Sequence, residues 1–466
     1  MYKLPKQPWT KKQFADAMSH AMAIELTTIP CYLSTYYSIN RAQDQDTLYA
    51  KINGQVKDEK LAQELTMDIL LYANKAAGTI MSVVIEEMLH LALSSNVHQA
   101  AVAAPNIMGI GKALAYPATL FADKTEFPIN RAPFSIDTLI TFLEIESPNQ
   151  FQPDPTIGQF YKSLIAYISK EKIDWRIGKP QLVPSQPYYA QNTINTVYYD
   201  AKHRPQFPSA NDSGGLIEVT GKASAIKAMT EIIHQGEGPS GATKLKFHKD
   251  KNGRSVPVPL PVSGGKVKFG PNDYDDPAKK ELSHFSKFLE LYSLACHYSD
   301  KFAALKAKGA KDFFSYFVTN QATNPLTKDY AANTELTQQS RLGNAIYTYI
   351  LLMIETCYYQ ELPTQFEVFM MGIHKSMIWL LSEFGWDMGQ QKFTKGGTSF
   401  QGSLTFEYYP FEAKKASPKD QIIQLANDLI KTDSSYGWLL SDPQYLNALP
   451  NVSLDHRVTK IPLQNS

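Results

Sequence analysis

The sequence predicts an all-α protein: a four-helix bundle core, long loop insertions and an additional helical region after it. Three observations carry this. Several segments place apolar residues at helical spacing, carboxylates and histidines interrupt those apolar faces at matching positions, and the stretches between them collect the glycines and prolines that break helices.

The first helix is announced by Thr10 with Gln13 three residues later, a capping box, followed by Phe14, Met18, Ala21, Met22 and Ile29 at helical spacing to about residue 40. Pro30 falls inside it, removes one hydrogen bond near Leu26 and should bend it. Residues 59–104 form a long helical stretch stopped by Pro105, either continuous or broken into two helices near Gly78. Residues 105–134 read as irregular, and shorter helices follow near 136–146 and 157–170. Residues 171–221 are loop-like, a helix runs from Lys222 towards Gly238, and 239–275 is an insertion too rich in Gly, Pro and Lys for a bundle element. Within it, Lys244 to Arg254 reads as a solvated loop or short hairpin turning at Asn252-Gly253. Asp276-Pro277 predicts an N-cap and first position for a helix through Leu294. Helices at 334–359 and 365–384 and a short one at 421–431 complete the chain, which divides into a core (1–300), a helical extension packed on it (301–412) and a C-terminal tail (413–466).

Composition narrows the function. With 46 basic against 45 acidic side chains the net charge is +1, so no broad field draws the chain to nucleic acid or an anionic membrane. No signal-peptide core and no run near the roughly 20 apolar residues of a membrane span is evident, and the chain reads as cytoplasmic. Three scattered cysteines, Cys31, Cys296 and Cys357, support neither disulfides nor a cysteine zinc site; any metal must be held by carboxylates and imidazoles.

Such residues occur on apolar helix faces, where an unpaired carboxylate costs several kcal/mol. Glu25 shares the face of Met22 and Ile29. Glu87 and His90, three apart, share a stripe with Ile80, Val83, Val84 and Leu91 and can reach one ion or two adjacent ions. Glu86 is rotated about 100° from Glu87 and is expected behind the site or exposed. Glu281 and His284 repeat the Glu-x-x-His spacing beside Phe285, Phe288 and Tyr292. In the helix after Lys222, Glu237 lies on the face of Ile226 and Ile233, whereas Glu231 points elsewhere; His234 is an additional candidate. The metal ligands expected are therefore Glu25, Glu87, His90, Glu237, Glu281 and His284: one Glu from each of two helices and a Glu-x-x-His pair from each of two others, the ligand set of carboxylate-bridged di-iron or di-manganese bundles. Four carboxylates against two divalent ions make a near-neutral site, and carboxylate and imidazole suit Fe(II) or Mn(II). His20 and His98 read as hydrogen-bonded core or surface residues, Glu367 and His374 as lacking a ligand pattern, Tyr32, Tyr36, Tyr37 and Tyr292 as packing residues, and Cys31 as a small buried hydrophobe.

The stretches Ala23-Ile24-Glu25-Leu26-Thr27-Thr28-Ile29-Pro30-Cys31-Tyr32-Leu33, Glu86-Glu87-Met88-Leu89-His90-Leu91, Thr156-Ile157-Gly158-Gln159-Phe160-Tyr161, Gln235-Gly236-Glu237-Gly238 and Ser283-His284-Phe285 resemble the ferritin-like domain of the iminophenyl-pyruvate dimer synthase family, found in violacein and related bisindole biosynthesis. The resemblance runs with gaps from about residue 10 to 410, ending near Thr405-Phe406-Glu407-Tyr408. It implies a ferritin-like core, carries over Glu25, Glu87, His90, Glu237 and His284, and places the substrate among amino acids or imines of secondary metabolism.

The expected function is a dioxygen-dependent dimetal oxidase or oxygenase holding two Fe ions, or Mn, with a small-molecule substrate and no nucleic-acid or membrane partner; homo-oligomerisation is left open. Its rivals are an imine-coupling enzyme of the dimer synthase type, a ferritin-like protein handling metal or peroxide without substrate chemistry, and a helical scaffold that has lost its metal.

Overall fold

The computed structural model describes residues 2–41, 43–122, 128–148, 155–183, 198–199, 205–206, 215–238, 245–250, 253–276, 281–442 and 445–460. Helix α1 (Lys11–Tyr37) opens on the expected capping box: the Gln13 amide donates to Thr10 Oγ1 at 3.2 Å and the Thr10 amide to Gln13 Oε1 at 2.9 Å. Pro30 stays inside the helix, and the Tyr116 hydroxyl donates to the neighbouring Thr27 carbonyl at 2.6 Å. A short α2 (Gln45–Val56) leads to α3 (Glu59–Ala101), 43 residues long and unbroken at Gly78, which is buried. At 1.5 Å per residue α3 spans about 65 Å, so it can line the site with one turn and support the surroundings with the rest.

Residues 105–134, expected to be irregular, contain helix α4 (Ile107–Ala113), because the Asn106 side chain caps it by accepting from the Gly109 amide at 2.9 Å. Helices α5 (Ile136–Ile145) and α6 (Ile157–Lys170) begin at the N-caps Ser135 and Thr156, and α7 (Lys222–Gly236) follows. In the insertion, Phe247–Lys249 pairs with Ser255–Pro257 as a hairpin around Gly253.

The helix expected from Asp276 is corrected. Tyr274–Asp276 pairs antiparallel with Glu281–Leu282, and α8 (His284–Ala304) starts only at Ser283, whose hydroxyl accepts from the Ser286 amide at 3.2 Å. Asp276 and Glu281–Leu282 are strand and α8 is capped by Ser283, so Glu281 and His284 do not share a helix face.

Beyond the core, α9 (Thr334–Thr356) packs on α4; the expected 365–384 helix is α10 (Thr364–Glu367), then wider π-helical turns over Val368–Leu380, then α11 (Leu381–Met388). Helix α12 (Pro418–Thr432) carries proline at its first turn and packs on α9. In the core, α3 contacts α1, α7 and α8, while α5 packs on α8 and α6 on both α1 and α7. The expectation that no segment has membrane-spanning composition is also corrected: α3 is long and apolar enough, and 94% of its most apolar 18-residue window is buried inside the protein.

Candidate metal centre

Where α1, α3, α5 and α8 converge, five ionisable side chains meet in an interior with almost no solvent exposure: Glu25 at 2%, Glu87 and His90 at 2%, Glu146 at 4% and His284 at 0%. Glu87 and His90 come from adjacent turns of α3, Glu25 from mid-α1, Glu146 from the C-terminal end of α5, and His284 from the first position of α8. One ligand atom from each of Glu87, His90 and His284 lies within 4.8 Å of the others. His90 Nδ1 is 3.6 Å from Glu25 Oε2 and 3.7 Å from Glu87 Oε1; His284 Nδ1 is 2.9 Å from the same Glu87 oxygen and 3.6 Å from Glu146 Oε2. Both histidines thus turn Nδ1 inward, and their rings stack at 5.1 Å.

The outer atoms are held. His90 Nε2 meets Gln235 Oε1 at 2.9 Å and His284 Nε2 meets Glu86 Oε2 at 2.8 Å, the arrangement in which the remote ring nitrogen orients an imidazole for ligation. Thr28 donates to Glu87 Oε2 at 2.6 Å, Tyr32 to Glu146 Oε1 at 2.5 Å and Tyr161 to Glu25 Oε1. Each carboxylate therefore spends one oxygen on a hydroxyl and keeps the other for the cluster.

Two observations show that these residues fit a cation. His284 Nδ1 is buried, and although 2.9 Å from Glu87 it has no hydrogen bond of acceptable geometry. The carboxylates also crowd: burial, reinforced by Glu146, pushes Glu25 up to about 7 despite the hydroxyl it accepts from Tyr161, and burial and Glu146 raise Glu87 similarly. Burial alone would lower His284, yet Glu146, Glu86 and Glu87 hold its imidazolium well above the usual range. His90 is lowered by burial and stays neutral. A cluster that retains protons where carboxylates ordinarily lose them is one short of positive charge. Carboxylate and imidazole donors suit Fe(II), Mn(II) or Zn(II).

Of the residues expected from sequence, the structure brings together Glu25, Glu87, His90 and His284. Glu237 lies just beyond α7 with Oε1 accepting from Thr156 Oγ1 and the Gly158 amide, each at 2.8 Å, and with Lys162 at 3.9 Å from Oε2. It sits at the N-terminus of α6, where backbone amides favour an anion, and a Cβ on Gly158 would overlap its carboxylate. Glu281 is buried on the strand before α8. His234 is exposed and Glu231 only half-buried.

Sequence reasoning missed Glu146, Gln235, Tyr161 and Lys287. Glu146 was findable: it lies seven residues after Leu139 and four after Phe142, on the face that α5 buries. Gln235 and Lys287 have no such signal, since neither spacing nor residue type separates them from other polar helix residues. Outside the cluster, His20 stacks on Tyr2 at 4.1 Å and burial lowers it to about 4, while His98 bonds the Ala103 carbonyl and Ser19. The His374 side chain lies outside the described residues.

The sequence model of a family described as Ferritin-like matches residues 18–293, which hold every residue of the cluster. Among solved structures, a ferritin-like protein from Caulobacter vibrioides, a crystal structure at 1.95 Å resolution, is similar with 17% identity and a TM-score of 0.36, covering 80% of this chain and 97% of that one. No curated protein matches the chain.

Proposed function

The chain belongs to the Ferritin-like family, and from that premise we propose that it is a non-haem, carboxylate-bridged dimetal oxidase or oxygenase acting on a small organic substrate. One observation carries the reading: three carboxylates and two inward-facing imidazole nitrogens converge in a buried interior with each outer atom already held. Glu25, Glu87, His90, Glu146 and His284 would hold the ions, and iron there would supply dioxygen activation.

The chain's own residues prepare this chemistry. Burial excludes water, so charges inside the cluster act at low dielectric. The Tyr161 and Tyr32 hydroxyls donate to the outer oxygens of Glu25 and Glu146 and so orient each carboxylate.

Metal analysis of purified protein, followed by anaerobic Fe(II) loading and exposure to air with absorption monitored, tests the reading. Two irons per chain and an oxygen-dependent transient are expected. A Glu87→Ala/His90→Ala variant should bind neither; equal metal content in variant and wild type would falsify the site. The finer alternative is imine coupling of the dimer synthase type, with amino-acid-derived imines as substrates. Dimer formation without oxygen consumption would favour it, and accumulation of many irons per chain would favour metal storage.

A further inference from the structure

The two histidines differ in what stands behind them. His90 leans on the neutral amide of Gln235, whereas His284 leans on Glu86, itself gripped by Lys287 Nζ at 2.9 Å from Oε1 and 2.7 Å from Oε2. Glu86 and His284 are 0% exposed and Lys287 is 4% exposed. An ammonium donates three hydrogen bonds and accepts none. Both Glu86 oxygens therefore act as acceptors towards Lys287, and the lone pair left on Oε2 can only accept from His284. The polarity runs one way: Nε2–H points out to Glu86, and Nδ1 faces Glu87 at 2.9 Å and Glu146 at 3.6 Å.

The connectivity is specific as well. Lys287 is three residues after His284, on the same side of α8, and Glu86 adjoins Glu87 on α3. The chain thus ties the first turn of α8 to α3 at the ligand itself. As a stabilising device the pair is a poor choice, because apolar residues of similar volume in place of a buried ion pair are often neutral or better.

Resting on the metal-centre reading above, we infer that Lys287 is a positioning residue of that centre: through Glu86 it locks His284 with Nδ1 towards the ion and makes it the stronger of the two histidine donors. His90, backed by a neutral amide, is the more yielding ligand. Loss of such an outer partner ordinarily costs roughly 10–100-fold in metal affinity.

The test compares Lys287→Met, Lys287→Arg and the double variant Lys287→Met/Glu86→Leu with wild type. Mn(II) affinity is measured by titration, the coordinated ring nitrogen of His284 by ¹⁵N shifts in the Zn(II)-loaded protein, and folding by circular dichroism. Lys287→Met should weaken Mn(II) binding by about 10–100-fold and replace the single Nε2-protonated form of His284 with a mixture, and Lys287→Arg should restore most of both. The double variant removes both buried charges together, so it folds even if Lys287→Met does not, and should show the same metal loss. A folded Lys287→Met or double variant that binds Mn(II) within about twofold of wild type, with His284 still in one form, overturns this inference and leaves the metal centre standing. A wild-type protein that binds neither Mn(II) nor Fe(II) overturns both.

Discussion

At the residue scale, the metal-free cluster is a proton store, and its linkage has a definite sign. Glu25 and Glu87 are raised by burial from the ordinary carboxylate range to about 7. Between about pH 4.5 and 7 these two groups therefore bind more protons in the folded state than in the unfolded chain, and their contribution to stability falls as pH rises, while His20 and His90, lowered by burial, act in the opposite sense. Glu25→Gln, which cannot ionise, should therefore lose less stability, or gain more, than wild type from pH 5 to pH 8 by thermal melting of the metal-free protein, while weakening metal binding. The same protons compete with a cation, so Mn(II) affinity should increase from pH 6 to pH 8 with proton release; calorimetry in buffers of different ionisation enthalpy measures it. Affinity independent of pH over that range would rule out the proton store. Burial is what makes the residues unusual, and burial was legible: Glu25, Glu87 and His90 were identified because apolar periodicity placed them inside.

At the element scale, the same periodicity failed where helices begin and end. Asp276-Pro277 is a good helix start and predicts Glu281 on a helix with His284, yet Tyr274–Asp276 pairs with Glu281–Leu282 and Ser283 caps α8 instead. Glu237 was correctly predicted to be buried, but burial does not say which partner compensates it; here the answer is the N-terminus of α6, reached across 79 residues of sequence to Gly158. The first misreading concerns a local strand pair and cap, the second a contact between distant segments, and a single helix pattern encodes neither. They yield opposite expectations for two glutamates. Glu237→Gln should lose on the order of 1 kcal/mol through the α6 terminus and keep wild-type metal content, whereas Glu146→Gln should lose metal; elemental analysis with denaturant melts separates the two effects. Ser283→Ala should cost about 0.5–2 kcal/mol as a lost N-cap, and because His284 is the next residue it should also loosen metal binding. Reduced stability with unchanged affinity would show that His284 is held by Glu86 alone.

At the scale of the whole molecule, the ligands are far apart in sequence: Glu25 and Glu146 are separated by 121 residues and Glu25 and His284 by 259. Apart from Glu87 and His90, three residues apart, none of these groups is near another in the unfolded chain, so a bound ion favours the folded state strongly and stabilises it by mass action. At free metal 100 times Kd the gain is about 2.7 kcal/mol, and at 1,000 times about 4.1 kcal/mol. Because α1, α3, α5 and α8 all contribute, the gain should appear in the cooperative unfolding of the core rather than as local protection of one loop. Melting temperature should therefore climb with the logarithm of Fe(II) or Mn(II) concentration above Kd, and amide exchange should slow together in α1, α3 and the first turn of α8. The Glu87→Ala/His90→Ala variant should melt at a temperature independent of metal. An equal metal-dependent rise in variant and wild type would mean that the stabilising ions bind elsewhere, and would separate the buried cluster from the metal dependence of the protein.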